Sequence, residues 1–180
     1  YVDRKEIPHL ILCGSAGVGK TTVAKALCEE VGCDYMMING SDESGIDTFR
    51  MKIKNYASSM SLMGAKKVII IDEADYLNPN STQPAMRAAM EEFAHNCTFI
   101  MTCNYPNKII PAIHSRTQGF HIEHLDQEQF VSRAATVLIT EGIDLNEANF
   151  EVLEQYTTAC YPDLRKCLNM LQQNCTNGIL

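Results

Sequence analysis

Long apolar runs are the first thing this chain lacks. None of its 180 residues lies in a stretch approaching the ~20 residues that cross a bilayer, and no basic-then-apolar leader opens it. The expectation is a soluble, cytoplasmic protein with no membrane partner. Its eight cysteines, at 13, 28, 33, 97, 103, 160, 167 and 175, include no C-x-x-C pair, and its five histidines keep no ligand spacing to them. A zinc site is therefore disfavoured, and cysteines set inside apolar patterns read as reduced, buried thiols rather than bridges. Positive charge is in deficit too. Fifteen Lys and Arg against 22 Asp and Glu leave a formal net charge of −7, which argues against broad polyanion binding but allows a local basic patch. There is no internal repeat, no low-complexity segment and no initiating methionine at Tyr1. That last absence is read as the mark of a trimmed or partial chain.

What is present is ordinary globular material, 46% hydrophobic and 21% charged, enough for one good core or a medium domain with a small appendage. The stretch that organises it is Leu10–Thr22, a buried strand, a glycine-rich turn and the first turn of a helix, matching G-x-x-x-x-G-K-[ST] at every fixed position. Phosphates need closely spaced backbone N–H donors, and Gly14, Gly17 and Gly19 let the chain curl around them past Ser15, Ala16 and Val18. The start of the helix Thr21–Val31, with Thr22 in its first turn, adds dipole and free amides. Lys20 supplies a point charge for the outer phosphates of ATP, and the Thr21 hydroxyl is placed to coordinate Mg²⁺.

The second decisive stretch is Lys66–Asp75. Four β-branched residues, Val68 to Ile71, form a fully buried strand, and acidic residues appear where it ends. Beside a phosphate loop, Asp72 would hold Mg²⁺ through its water shell and Glu73 would act as general base on the attacking water. Between these stretches the sequence predicts a strand at Asp34–Ile38, a turn at Asn39–Asp42 and a helix opening at Gly45–Asp47. That helix carries Arg50, Lys52 and Lys54, which the residues alone present as a solvated face with phosphate contact as the alternative. An amphipathic helix at Ser81–Phe93, capped near Asn80 or Ser81, buries Ala85, Met86, Ala89, Met90 and Phe93. A strand at Thr98–Cys103 ends at Asn104, beyond the strand ends where α/β sheets bind ligands, so Asn104 is a candidate for orienting the hydrolytic water. A short strand at Gly119–Ile122 completes five parallel strands with helical crossovers. After His124 the pattern turns to helices at Gln127–Glu141, Leu145–Tyr156 and Asp163–Gln173. The domain reading is thus 1–124 for an α/β core and 125–180 for a three-helix appendage.

Taken together, these stretches resemble the AAA+ ATPases, and within them the clamp-loader small subunits of DNA replication. The similarity also covers Gln83–Glu91, Ile113–Arg116 and Pro162–Asn169, where Ser115-Arg116 and Asp163-Leu164-Arg165-Lys166 are the more specific features. The resemblance implies a P-loop core with a helical lid. Asn104 matches sensor 1, and Arg165 matches sensor 2, which reaches from the lid to the γ-phosphate. Arg116 matches the arginine finger that acts in trans on a neighbouring subunit's ATP. Asn39 matches the position that restrains the catalytic glutamate, here Glu73, until DNA binds. Arg50, Lys52 and Lys54 fall in the region that tracks template phosphates, which reverses the solvated-face reading. Other loader subunits, a sliding clamp and primer–template DNA are the implied partners.

Thr117 and Tyr161-Pro162 depart from the replication factor C pattern, and with Asn39–Asp42 they lie nearer the loader of a T4-like bacteriophage, for which the location would be host cytoplasm. The family's adenine-contacting N-terminal segment and its collar domain are absent from these 180 residues, which implies weak ATP binding and no assembly by the isolated chain. The rival readings are another AAA+ helicase or remodeller, against which no aromatic-glycine loop is found, and a non-hydrolysing scaffold, against which Lys20, Asp72 and Glu73 stand.

Overall fold

Continuous apolar runs at Leu10–Cys13 and Val68–Ile71 dictate strands covered on both faces. The computed structural model, which describes residues 1–4, 6–42, 45–59 and 67–175, has five strands in one parallel sheet. They are β1 (Leu10–Cys13), β2 (Tyr35–Asn39), β3 (Lys67–Asp72), β4 (Cys97–Cys103) and β5 (Gln118–His121), in the order β2-β3-β4-β1-β5. Lys66, placed at the head of the third strand's run in the sequence, lies outside the described residues.

Alternate residues of β1, β3 and β4 feed two cores. Ile11, Ile69, Ile71, Phe99 and Met101 pack with Phe49 and Ile53 of α2 (Ile46–Ser58) and with Met86 and Met90 of α3 (Thr82–Glu92). Leu10, Leu12, Val68, Ile70 and Ile100 pack with Ala24, Cys28 and Val31 of α1 (Lys20–Val31). Each large side chain taken out of water here contributes on the order of 1.5–3 kcal/mol, so the middle strands set the register firmly. That register matters to the site. It pairs Cys13 with Cys103 and Asn39 with Asp72, bringing the carboxyl ends of β1, β4, β2 and β3 level with one another.

Several details differ from the sequence expectation; β5, for one, starts at Gln118 and not at Gly119. The second strand runs one residue later than Asp34–Ile38, so Asn39 is its last residue as well as the first of the expected turn, where its carbonyl accepts the Asp42 N–H at 3.3 Å. Ser81 stands at the start of α3 without a capping side-chain bond; instead the Asn78 carbonyl accepts the N–H groups of Ser81, Thr82 and Gln83. Between β4 and β5 the chain also forms a short helix, α4 (Pro111–His114), with Ile109 and Ile113 buried.

The chain divides into two compact units, Tyr1–Gly14 with Gly19–Ile122, and Ser15–Val18 with Glu123–Leu180. The second is built on α5 (Gln127–Thr140), α6 (Glu147–Cys160) and α7 (Leu164–Asn174) around Phe130, Leu138, Leu153, Cys167 and Leu171. Each of its helices has a side-chain cap: Asp126 accepts from the Gln129 N–H, Asn146 from Asn149 and Asp163 from Lys166. No helix among the described residues is long and apolar enough to cross a membrane.

Candidate active site

Gly19 enters α1 at φ 90°, in the left-handed region that favours glycine, and no side chain caps the helix. In this α1 differs from α5, α6 and α7, each of which has a side-chain cap. Gly17 also has positive φ, at 79°. Gly14 is buried in the sheet unit, while Ser15 and Ala16, both exposed, and Gly17 and Val18, half-buried, group with the helical unit. Thr22 is exposed in the first turn of α1.

Lys20 is buried, and its ammonium donates to the Gly14 carbonyl at 2.9 Å and to Asn104 Oδ1 at 2.7 Å. The Thr21 hydroxyl donates to Asp72 Oδ1 at 2.7 Å. These two bonds tie the glycine bend to the ends of β4 and β3. Asp72 Oδ1 accepts a second hydroxyl, that of Thr102, at 2.6 Å. The next residue, Glu73, turns at φ 55°, the one positive φ outside glycine among the described residues, and its N–H donates to Thr102 Oγ1 at 3.0 Å. The Glu73 carboxylate takes no hydrogen bond or ion pair from the described residues and is half-buried, which leaves its oxygens available as acceptors.

Asp75 holds the Asn104 loop. Its buried carboxylate accepts the N–H groups of Asn104 at 3.3 Å and Tyr105 at 3.1 Å. Below the loop the Cys13 and Cys103 thiols lie 3.3 Å apart, and burial together with its Cys13 neighbour pushes the Cys103 thiol well above its ordinary range. Both sulfurs act as packing, not as nucleophiles. No cluster of three or more His, Cys, Asp or Glu side chains gathers as a metal cage among the described residues. The Thr21 hydroxyl and Asp72 carboxylate form instead a small set of hard oxygen donors, the kind that holds Mg²⁺ alongside phosphate and water.

Two of the other candidate residues, Asn39 and Arg116, are held by partners outside this cluster. Asn39 Oδ1 accepts from the Ser41 N–H at 3.0 Å and the Ser41 hydroxyl at 2.9 Å, and no hydrogen bond joins Asn39 to Glu73 among the described residues. Arg116 is bound to Glu91, through Nε at 2.9 Å and Nη2 at 2.5 Å, while its Nη1 donates to the Ala112 carbonyl at 2.7 Å. Arg165 is exposed in the first turn of α7, in the helical unit. Arg50, Lys52 and Lys54 are all exposed on α2, but the helix separates them: Arg50 and Lys54 lie about 40° apart around the axis and Lys52 about 160° away. Thr102, Asp75 and Glu91 were not singled out by sequence. The available signal for Thr102 was a hydroxyl in an otherwise apolar strand two residues before Asn104.

Residues 10–124 match the ATPase family associated with various cellular activities (AAA). The replication factor C small subunit of Methanococcus maripaludis is 38% identical over 178 residues, covering 96% of this chain and 55% of that protein. Its counterpart from Methanosarcina acetivorans is 39% identical over 179 residues, covering 96% of this chain and 52% of that protein. The chain therefore spans about half the length of these curated relatives. Among solved structures, the Thermotoga maritima RuvB Holliday junction branch migration motor superimposes with a TM-score of 0.73 at 19% identity, covering 95% of this chain and 55% of that one. At that identity the likeness speaks to the fold.

Proposed function

The chain belongs to the ATPase family associated with various cellular activities (AAA), and on that premise we propose that it is the ATP-hydrolysing part of a clamp-loader small subunit. The observation that carries the reading is one bonded cluster: Lys20 to Asn104 and Thr21 to Asp72, each at 2.7 Å, joining loop, acidic strand end and sensor position. Its replication setting is supported by the name of the relatives, and its finer likeness to a T4-like bacteriophage loader rests on Asn39–Asp42.

In this reading the Lys20 ammonium exchanges Gly14 and Asn104 for phosphate oxygens, and the uncapped amides of α1 complete the grip. Thr21 and Asp72 are the oxygen donors for Mg²⁺, which when bound neutralises charge on the phosphates. Glu73 takes a proton from water as the water oxygen attacks the γ-phosphorus and the bond to the bridging oxygen breaks, leaving ADP and inorganic phosphate. Asn104, steadied by Asp75, orients that water. Arg116, released from Glu91, serves the ATP of an adjacent subunit, Arg165 reads the γ-phosphate from the lid, and Asn39 restrains Glu73 until primer–template DNA is seated. Hydrolysis then frees the sliding clamp.

The test is phosphate release from the assembled full-length complex. Glu73→Gln lowers turnover by about 10²–10⁴ with ATP still bound. Arg116→Ala lowers DNA-stimulated turnover by about 10³ or more without weakening ATP affinity. No phosphate release from the unaltered complex would favour a scaffold, and full turnover with Arg116→Ala would remove the role in trans.

A further inference from the structure

Every hydroxyl has one proton to give and lone pairs to receive, and the way Thr102 spends them is unusual for a core residue. It is 1% exposed in β4, surrounded in sequence by Ile100, Met101 and Cys103, all buried. The Glu73 N–H can only donate, so at 3.0 Å from Thr102 Oγ1 it occupies a lone pair of that oxygen. The hydroxyl proton is then directed to Asp72 Oδ1 at 2.6 Å. A single side chain on the neighbouring strand thereby holds the carboxylate of Asp72 and the backbone of Glu73.

Thr98, four residues earlier on the same face of β4, shows that burial of a threonine does not by itself produce such a tie. It is 5% exposed, and its hydroxyl has no partner among the described residues. Nor is the Glu73 bond incidental. Glu73 is held at φ 55° and ψ 45°, a left-handed conformation that a side chain resists and that persists only where its surroundings over-determine it. The Thr102 oxygen takes up the N–H which that turn directs away from the sheet ladder.

We propose that Thr102 is a positioning residue for ATP hydrolysis, its hydroxyl fixing Asp72 and Glu73 together at the end of β3. The inference rests on Glu73 being the general base. Thr21 and Thr102 share Asp72 Oδ1, but their parts differ. Thr21 belongs to the loop that grips phosphate and gives up its bond when nucleotide arrives, whereas Thr102 belongs to the sheet and keeps its bond.

The experiment measures steady-state hydrolysis, ATP affinity and thermal melting for Thr102→Val, Thr102→Ala and Thr102→Ser in the full chain within its assembly. Displacing a reacting group by an ångström costs about 10²-fold, so Thr102→Val should lose about that much kcat while KM for ATP stays within about threefold. Thr102→Ser restores the hydroxyl and most of the turnover. If the Val variant fails to fold, the Ala variant carries the same comparison. Wild-type turnover in the hydroxyl-less variants, or equal loss in the Ser and Val variants, overturns the proposal. Glu73→Gln separates the two ways of failing. Turnover surviving that change overturns the reading of Glu73, whereas turnover lost there but kept by Thr102→Val overturns the role given to Thr102.

Discussion

Replacing Gln83 with leucine should markedly destabilise the sheet unit. The side chain is fully buried at the start of α3, at 0% exposure. Its amide nitrogen donates to the Leu77 carbonyl at 3.0 Å and the Lys108 carbonyl at 2.9 Å, and its oxygen accepts the Ile110 N–H at 2.8 Å. One residue therefore satisfies three backbone groups from the segment before α3 and the segment leading into α4. Leucine keeps the bulk and removes all three bonds. Each is worth about 1 kcal/mol net, and each backbone group left without a partner costs a further ~1–3 kcal/mol. Allowing for relaxation and for apolar burial regained, the loss is about 3–6 kcal/mol, a large share of the ~5–15 kcal/mol that holds a domain together. At about 2–4 °C per kcal/mol, melting should fall by about 10–20 °C. The chain has no tryptophan, so urea unfolding is best followed by far-UV circular dichroism. Gln83→Glu keeps the acceptor for Ile110 but turns a carboxylate toward two carbonyl oxygens, and should be at least as costly. A Gln83→Leu protein within about 1 kcal/mol of the unaltered one would refute the accounting.

Lys20→Ala removes an ammonium that contacts Gly14 and Asn104; it should lower turnover of the assembled complex by about 10²–10³-fold while ATP affinity in a fluorescent-nucleotide titration falls by less than about tenfold, and unchanged turnover would remove Lys20 from the site. For DNA, Arg50→Ala with Lys54→Ala should flatten the dependence of log affinity on log salt by about 2, while Lys52→Ala on the other side of α2 leaves it nearly unchanged. Equal effects from all three would show that the helix presents no single phosphate-tracking face. Alkali offers a third check. Burial, aided by Cys33 and Glu29, pushes the Cys28 thiol from 9.0 up to about 12. Above pH 9 the unfolded chain loses this proton first and binds fewer protons than the folded one, so stability falls as pH rises from 9 towards about 12, by at most ~1.4 kcal/mol per pH unit. Urea unfolding at about pH 8, 10 and 11 should show that slope, and Cys28→Ala should reduce it; identical slopes would exclude Cys28 as its source.

The sheet was legible because burial on both faces leaves a local trace. Leu10–Cys13 and Val68–Ile71 read as strands from their own composition, and the glycines and acidic residues beyond them carry their chemistry with them. What escaped was decided by partners distant in sequence. The pairing of Asn39 with Asp72 extends β2 by a residue because β3 is there to receive it, not because Asn39 favours a strand. Arg116 reads as a finger from its motif, but its bond to Glu91, 25 positions away, has no sequence signature. Gln83 and Thr102 are polar residues on buried helix and strand faces, where periodicity alone records an irregularity and cannot name what it satisfies. The arrangement of Arg50, Lys52 and Lys54 was available from helical spacing, since residues two apart do not share a face.

The contacts around the glycine bend also explain why binding there is an exchange and not a capture. Lys20 is buried, a position that costs several kcal/mol for an unpaired ammonium, and the Gly14 carbonyl with Asn104 Oδ1 supplies its hydrogen-bond acceptors. Thr21 similarly gives Asp72 a donor. A triphosphate entering the bend must replace each of these bonds, so the side-chain contacts alone yield little net affinity. The surplus has to come from other groups, and the amides at the start of α1, a helix that no side chain caps, are placed to supply it through their donors and dipole. Affinity then resides mainly in the backbone, while Lys20, Asn104 and Asp72, each already held in place, are left to differ between ground state and transition state, which is where interactions accelerate chemistry.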